Sequence, residues 1–487
     1  MPPSETPASQ LNPTLNEPRG ELLRAAKGRS LLEPIAVLLG ALFMTWPAIY
    51  NGLPLLYPDS MDYIKAGHFI ARALFFHRIM SYYGLRSSIY SLGILPFDLG
   101  GTVWPVVAFQ CLLTSFVLWL VVRSIVPNKT ANRFPVLMLL LSLFSSLSWY
   151  GSLVMPDILG PDLYLCVYLL FLARDALSVL ERFALYFISW WAIASHATHL
   201  LIVLTLSLLL ALLALIIQGP LRRHLKVAAE LTAIIALSIS AQIVVETLLY
   251  GEPSINGRRP PFLTARLIAD GPGRWYLEKN CGDAQWEMCH YLNNFSDDSD
   301  QLLWDPDGVW ARAIADSRKR ISSQEKSLSI AVLRTYPIQE LEKAVSNFRR
   351  QLMAFGVVDL RRYSTVVEYI GEVLPRERSK YLESPQAQGR LPLRLFTKIQ
   401  YFVVVLSLLS ILAILPRLWR SCSPKLLGLS FVIFSTVIIN AFFCGTLSRV
   451  NDRYQSRVIW LVPFLATLCA LSWQASRSAS ANPQPKS

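Results

Sequence analysis

The sequence predicts an all-α polytopic membrane protein. Its 487 residues are 53% hydrophobic and only 16% charged, and their mean hydropathy is +0.39. Soluble domains carry about 25% charged residues, so this composition excludes an ordinary soluble globule. Apolar runs of about 20 residues, long enough to cross a roughly 30 Å hydrocarbon core, recur along the whole chain.

These runs predict about ten transmembrane helices. They lie at 32–50, 103–125, 134–153, 158–173, 183–194, 198–217, 227–250, 396–415, 426–443 and 458–473. The run 183–194 is the shortest, and it could merge with the next run or enter the bilayer without crossing it. The division of the chain follows from this pattern. We expect a disordered tail at 1–30, a membrane module at 31–250 with its first outer loop at 51–101, an α-rich outer loop domain at 251–395, a second membrane module at 396–474 and a Ser-rich tail at 475–487.

Basic residues predict that both termini are cytoplasmic, because Lys and Arg in short loops are retained on that side. The stretch before the first run and every second loop carry Lys or Arg, whereas the loops 151–161 and 195–199 contain neither. Topology therefore explains most of the net charge of +13. No basic cluster alternates with aromatic residues, so we do not expect nucleic acid as a partner. A bacterial inner membrane is the expected location.

Two acids follow the first apolar run directly. Asp59 and Asp62 lie in the segment Tyr-Pro-Asp-Ser-Met-Asp-Tyr at 57–63, where the chain should emerge on the non-cytoplasmic side. A charged group beside hydrocarbon is costly unless it faces water, a partner or a substrate. The residues that follow, 61–82, have the spacing of an amphipathic helix in the membrane interface.

A second polar cluster lies immediately before the last apolar run. Arg449, Arg453 and Arg457 are spaced by four residues and would share one face of a helix. They contradict the positive-inside trend, because they fall on the outer side. Binding of a phosphate group would explain them, since guanidinium groups match phosphate geometry. Pairing with lipid headgroups or with nearby acids remains an equally good alternative.

Two smaller clusters are expected on the same side. Asp157 lies in the loop after the third run, and His196 and His199 lie in the loop after the fifth. No third ligand follows the two histidines at a defined spacing, so they do not by themselves predict a metal site. A divalent cation held by Asp59 and Asp157 remains open, and no other cofactor is expected.

The outer loop domain contains a cysteine pair. Cys281 and Cys289 share one polar segment, and a disulfide between them is the favoured interpretation on an oxidising side of the membrane. Free thiols are the second alternative. A zinc site that includes His290 is the third.

All of these polar clusters are expected on one side of the membrane, which favours a single outward-facing site. The layout resembles the GT-C class of integral-membrane glycosyltransferases: an acid in the first outer loop, an interfacial helix, many spans and an outer domain. The resemblance implies a polyprenyl-phosphate-linked sugar as donor. It also implies a hydroxyl acceptor on an envelope glycan, lipid or protein, with membrane lipids as neighbours.

Within this resemblance, Asp59 corresponds to the general base, and Asp62 is its alternative or partner. Arg453 and Arg457 would bind the donor phosphate, with Arg449, His196 and His199 as secondary candidates. The chain departs from the class because its acids are three residues apart and its large domain precedes the last three runs. A lipid-linked oligosaccharide transporter or polymerase, and a non-catalytic envelope scaffold, are the rival hypotheses.

Overall fold

The computed structural model describes residues 31–77, 86–98, 101–127, 130–216, 221–251, 253, 259–282, 286–419 and 424–481. These residues are helical, apart from connecting segments and one isolated β-bridge between Leu55 and Leu153. The prediction of an all-α chain is therefore confirmed for this part of the protein. The predicted tail at 1–30 lies outside the described residues.

The described helices fall into an N-terminal series, an outer series and a C-terminal series. The first comprises α1 (Leu32–Met44), α2 (Trp46–Asn51), α3 (Pro58–Phe75), α4 (Ser88–Asp98), α5 (Trp104–Ile125), α6 (Thr130–Phe144), α7 (Leu147–Gly151), α8 (Leu159–Leu172), α9 (Val179–Ser195), α10 (Ala197–Ile216) and α11 (Leu221–Tyr250). The outer series comprises α12 (Phe262–Asp270), α13 (Pro272–Asn280), α14 (Ser299–Trp304), α15 (Val309–Arg312), α16 (Ala315–Thr335), α17 (Pro337–Met353), α18 (Ser364–Val373) and α19 (Arg378–Glu383). The last comprises α20 (Leu393–Trp419), α21 (Pro424–Leu447), α22 (Asp452–Ile459) and α23 (Leu461–Ala481).

Five segments within the described residues are long and apolar enough to cross a membrane. They are Trp104–Ile125, Leu225–Tyr250, Leu393–Ile414, Pro424–Leu447 and Asp452–Gln474. Shorter apolar helices occur at Leu32–Met44, Thr130–Phe144 and Ala197–Leu213. This supports the membrane character of the chain but does not confirm ten crossings.

Breaks inside two predicted spans account for part of the difference. The apolar run 32–50 contains two helices, because α1 ends at Met44 and Pro47 lies in the first turn of α2. Proline lacks the N–H that a continuing helix needs, so it is tolerated at a helix start but not in its interior. The run 134–153 is likewise divided between α6 and α7.

Helix α8 lies at the centre of the larger hydrophobic core. Nearly every residue of α8 is buried, as expected of a helix that is apolar on all sides. It packs against α5, α9, α10 and α21. A short 3-10 helix, Pro156–Ile158, leads directly into α8 and fixes the position of Asp157 at one end of this core.

The predicted loop domain at 251–395 contributes to two separate cores. The buried apolar residues between Ala265 and Val332 form a core of their own, which we call the outer core. Those between Phe355 and Leu393 instead belong to the larger core of the membrane helices. Cys281 and Cys289 are joined by a disulfide, with their Cα atoms 5.6 Å apart, and this bridge lies in the outer core.

Two predicted segments have different extents in the structure. The expected interfacial helix at 61–82 corresponds to α3, which ends at Phe75, and residues 78–85 lie outside the described part. Its apolar side is only partly covered by protein: Ile64 and Ile70 are buried where α3 packs on α4 and α18, whereas Phe69 and Phe75 are 48% and 75% exposed. The expected tail at 475–487 is helical as far as Ala481, because α23 continues through residues that tolerate helix well.

Candidate functional site

Asp59 lies in the first turn of α3, where the helix dipole favours an anion. Its side chain is largely buried between two arginines. The carboxylate Oδ1 is 2.5 Å from Nη2 of Arg86, and Oδ2 is 3.3 Å from Nη1 of Arg453. Burial alone would raise the pKa of Asp59, but the two guanidinium groups outweigh it and hold that pKa below its usual value. The carboxylate is therefore ionised at neutral pH.

Asp62, one turn further along α3, is in a different electrostatic environment. Its Oδ2 is 4.0 Å from Nε of Arg86, and 37% of its side chain is exposed. Burial of the carboxyl group raises the pKa of Asp62 to about 6, with Arg86 opposing the shift and the charge of Asp59 adding to it. Asp62 can therefore gain or lose a proton close to neutral pH, which Asp59 in its present contacts cannot.

Helix α22 positions two of the three predicted arginines. The side chain of Asn451 accepts a hydrogen bond from the backbone N–H of Arg453 at 2.8 Å, and it caps a helix that begins at Asp452. Arg453 and Arg457 are then one turn apart on the same face, and both are buried. Both approach Oδ1 of Asp157, from Nε of Arg453 at 3.8 Å and from Nη1 of Arg457 at 3.5 Å.

The prediction that all three arginines share one helical face is wrong for Arg449. Asn451 has an extended backbone and starts α22 after this residue, so Arg449 is not part of the helix. Its guanidinium instead pairs with Asp298 at 3.2 Å and with Asp300 at 3.0 Å. Asp298 and Asp300 lie at the start of α14. Arg449 therefore links this helix of the outer series to the start of α22.

Arg457 connects the acid and arginine cluster to the predicted histidines. Its Nη2 donates hydrogen bonds to Thr198 Oγ1 at 3.2 Å and to Asn440 Oδ1 at 3.1 Å. The same Thr198 hydroxyl is 2.8 Å from Nδ1 of His196. The rings of His196 and His199 have their centroids 5.1 Å apart.

His199 is fixed by backbone contacts at the start of α10. Its Nδ1 lies 2.8 Å from the carbonyl oxygen of Ala192, and because a carbonyl only accepts, the ring proton must be on Nδ1. Gly160 of α8 allows the close approach of the ring, since a Cβ at this position would lie only 2.9 Å from His199 Nε2. Nε2 is buried and makes no hydrogen bond with any described residue.

The contacts form one continuous polar network, which we call the arginine network. It comprises Asp59, Arg453, Asp157, Arg457, Thr198 and His196. An aromatic ring also contacts the network: the Arg453 guanidinium carbon lies 4.3 Å from the ring centroid of Tyr57, in a cation–π contact. The structure therefore brings together predicted site residues from four distant parts of the sequence, and it excludes Arg449.

Several polar atoms of the arginine network make no hydrogen bond within the described structure. They include both carboxylate oxygens of Asp157, Nε of Arg453, and Nε and Nη1 of Arg457. Their ion pairs at 3.5 and 3.8 Å are longer than charge-assisted hydrogen bonds, which are about 2.7–2.9 Å. A buried polar group without a hydrogen bond costs about 1–3 kcal/mol. The arginines therefore retain donors that a bound anion would satisfy.

Arg86 and Arg259 were not predicted from the sequence. Both line a small cavity together with His196, Gln242 and Glu246. Neither belongs to a local motif, so spacing could not identify them. A signal exists for Arg86 alone, because it lies in the shorter outer loop 51–101, where a basic residue departs from the positive-inside trend. The trend does not apply to the long loop that carries Arg259.

The described residues contain no group of three or more His, Cys, Asp or Glu side chains placed to hold a metal ion. The suggested pair of ligands, Asp59 and Asp157, instead contacts a shared cation, Arg453.

Chemically, the site combines Asp59, which is ionised at neutral pH in its present contacts, Asp62, whose pKa is about 6, and buried arginines with unused donors. Such a set can orient a hydroxyl group, accept its proton and bind an anion beside it. Comparison with known proteins adds no assignment, because no protein-family model, curated protein or solved structure matches the chain.

Proposed function

We propose that the protein is a membrane glycosyltransferase that moves a sugar from a polyprenyl-phosphate donor to a hydroxyl acceptor. The supporting observation is the arginine network, in which Asp59, at the start of α3, contacts Arg453 of α22. Transfer to a hydroxyl requires a carboxylate at the nucleophile and cations at the departing phosphate. The acceptor would be an envelope glycan, lipid or protein, reached from the periplasmic face of a bacterial inner membrane with both termini cytoplasmic.

The donor phosphate would bind to Arg453 and Arg457. Their unused guanidinium donors suit phosphate oxygens, and both groups keep their charge when buried. During transfer, the bond between the sugar anomeric carbon and the phosphate oxygen breaks while the acceptor oxygen bonds to the same carbon. The bonding electrons leave with the phosphate, whose negative charge the arginines stabilise, and the hydroxyl proton passes to a carboxylate.

Binding of the phosphate would also change the state of Asp59. At present Asp59 contacts Arg86 and Arg453, and those contacts make it a weak base. A phosphate bound to the unused Nε of Arg453 would place a second negative charge beside Asp59 and would share the guanidinium group that now stabilises this carboxylate. The pKa of Asp59 would then rise, so that a bound donor activates the base. Asp62 is the alternative base, since its pKa of about 6 already suits proton transfer.

The test is turnover by the full-length purified protein in lipid nanodiscs with a panel of polyprenyl-phosphate sugars. Release of polyprenyl phosphate and binding of the donor are measured for the wild type and for Asp59→Asn. We expect Asp59→Asn to reduce turnover by about 10²–10⁴-fold, the usual contribution of a general base, and to retain donor binding. Asp297→Asn is the control, because it makes the same chemical change in a carboxylate that is 87% exposed and lies outside the arginine network.

Each alternative predicts another result. Unchanged turnover in Asp59→Asn would refute this residue as the base. Absence of turnover with every donor and acceptor tested would refute the glycosyltransferase and favour a transporter or a scaffold.

A further inference from the structure

Helix α17 lies against the end of a helix that is long enough to cross the membrane. One side of α17 packs on α21, where a Cβ at Gly445 would lie 2.9 Å from the backbone oxygen of Asn347. The rings of Phe348 and Phe442 have their centroids 6.2 Å apart. Gly445 and Phe442 belong to the last turns of α21, so α17 is held at the level where this helix would leave the bilayer.

The polar residues on the packed side anchor α17 to the segment that carries the arginine network. Gln351 is buried, and its side chain accepts a hydrogen bond from the backbone N–H of Asn451 and donates one to the same residue's carbonyl. Asn451 caps α22. These contacts fix the position of α17 relative to the proposed membrane boundary. They also fix its rotation about the helix axis, so the side of α17 opposite Gln351 faces away from the protein core.

The opposite side of α17 is apolar and exposed. Ile338, Leu341, Val345 and Met353 are 67%, 64%, 48% and 64% exposed, and the first three have the spacing of one helix face. Burying apolar surface contributes about 25 cal/mol of stabilising free energy for each Å², and this contribution is lost while the face is exposed to water. The exposed Phe442 of α21 lies beside the helix, so the apolar surface continues onto a predicted membrane span.

Two arginines lie on the same side, near the C-terminal end of α17. Arg349 and Arg350 are exposed and line an open groove of about 1050 Å³. Its other lining residues are mostly apolar and include one acid: Leu341, Glu342, Val345, Ser346, Leu352 and Met353. The two arginines outnumber this acid, so the groove keeps a net positive charge. An apolar groove that ends in guanidinium groups matches the two parts of a phospholipid, an acyl chain and a phosphate. A protein partner would not require the apolar surface to be continuous with a membrane span.

We propose that α17 is a membrane-interface helix whose exposed face binds an anionic phospholipid. The apolar side chains contact the acyl chains of the leaflet next to the arginine network, and Arg349 and Arg350 bind the lipid phosphate. This inference is independent of glycosyl transfer. It concerns a different surface from the arginine network, and its test does not measure turnover.

The first test asks whether lipid covers this face. Val345→Cys in the full-length protein is labelled with a bimane fluorophore and placed in nanodiscs that hold one copy each. The wild type is treated in the same way, and its fluorescence is subtracted to correct for labelling of its own cysteines. We expect phosphatidylcholine with brominated acyl chains to quench this label several-fold more than a label at Lys319→Cys. Lys319 is an exposed residue of α16, a helix that contributes to the outer core. Equal quenching at the two positions would overturn the proposal.

The second test asks whether the lipid phosphate is bound. In nanodiscs where brominated phosphatidylglycerol is a minor component, we expect stronger quenching at Val345→Cys than with the same fraction of brominated phosphatidylcholine. The double substitution Arg349→Gln and Arg350→Gln should abolish this preference, whereas Lys343→Gln should retain it. A preference that survives in the double variant would refute the phosphate site. Protection of the label in concentrated detergent solution, without quenching in nanodiscs, would identify a second copy of the chain as the occupant instead.

Discussion

Asp62 is the side chain whose protonation should be visible in the pH dependence of the proposed reaction. A general base must be ionised to accept a proton, and the pKa of Asp62 is raised to about 6 by burial. If Asp62 is the base, kcat/KM should fall tenfold for each pH unit below about 6 and be constant above it. The measurement is the pH profile of polyprenyl phosphate release between pH 4.5 and 8.

Asp59 predicts a different profile. Its pKa in the free protein is held below the usual value by Arg86 and Arg453, so kcat/KM, which reports the free enzyme, would remain constant down to pH 5. The variant Asp62→Asn separates the two cases. It should lower turnover by at least about 10²-fold if Asp62 is the base, and only modestly if Asp62 merely adds negative charge beside Asp59. A wild-type profile without an inflection near pH 6 would contradict the assignment to Asp62.

Helix α17 contains a buried acid that should make the stability of the protein depend on pH. Glu340 is 8% exposed, and burial, together with the charge of Asp270, raises its pKa to about 7. The folded protein therefore holds a proton that the unfolded chain releases near its ordinary pKa of 4.5. The stability that this proton provides is fully present below pH 4.5 and is lost as the pH rises through about 7.

Glu340→Gln should remove this dependence, because the amide carries no charge at any pH. The rise of the pKa from 4.5 to about 7 sets an upper bound of roughly 3 kcal/mol, which partial exposure of the side chain to solvent reduces. We therefore expect the advantage of the variant over the wild type to be larger at pH 8 than at pH 5 by at least about 1 kcal/mol. The measurement is the thermal unfolding midpoint in detergent at both pH values. Glu342→Gln, an exposed position two residues further along α17, is the control. Equal midpoints of the variant and the wild type at pH 8 would show that folding does not raise the pKa of Glu340.

The sequence predicted the positions of individual helices better than it predicted which residues of different helices contact each other. The run 103–125 predicted α5, Trp104–Ile125, within one residue at its start, because a long apolar run is a local property of the sequence. The prediction that Arg449 lies on the same helix as Arg453 was wrong, because the N-cap residue Asn451 starts α22 after Arg449. The pairing of Arg453 with Asp59 joins residues 394 positions apart. Topology predicted only that the two residues lie on the same side of the membrane, whereas their contact depends on how α3 and α22 pack.

Within the described residues, the larger core and the outer core are separate from each other, and a small third cluster surrounds Ile70 and Leu249. The outer core is connected to the start of α22 through Arg449, which pairs with Asp298 and Asp300, and to the site through Trp304, whose ring centroid is 5.8 Å from the Arg86 guanidinium carbon. Separate cores can open separately, because local unfolding follows cooperative units. The disulfide between Cys281 and Cys289 lies in the outer core alone.

Removing that disulfide should therefore loosen one core and not the other. For a loop of this short length, the loss of the constraint on the unfolded chain corresponds to about 2–3 kcal/mol. In the double variant Cys281→Ser and Cys289→Ser, we expect faster amide hydrogen exchange in α12, α13 and α16, with exchange in α8 unchanged. Reducing agent should reproduce the effect in the wild type and add nothing in the variant. Faster exchange in α8 as well would show that the two cores unfold as one unit, and unchanged exchange in the outer helices would show that the bridge does not stabilise them.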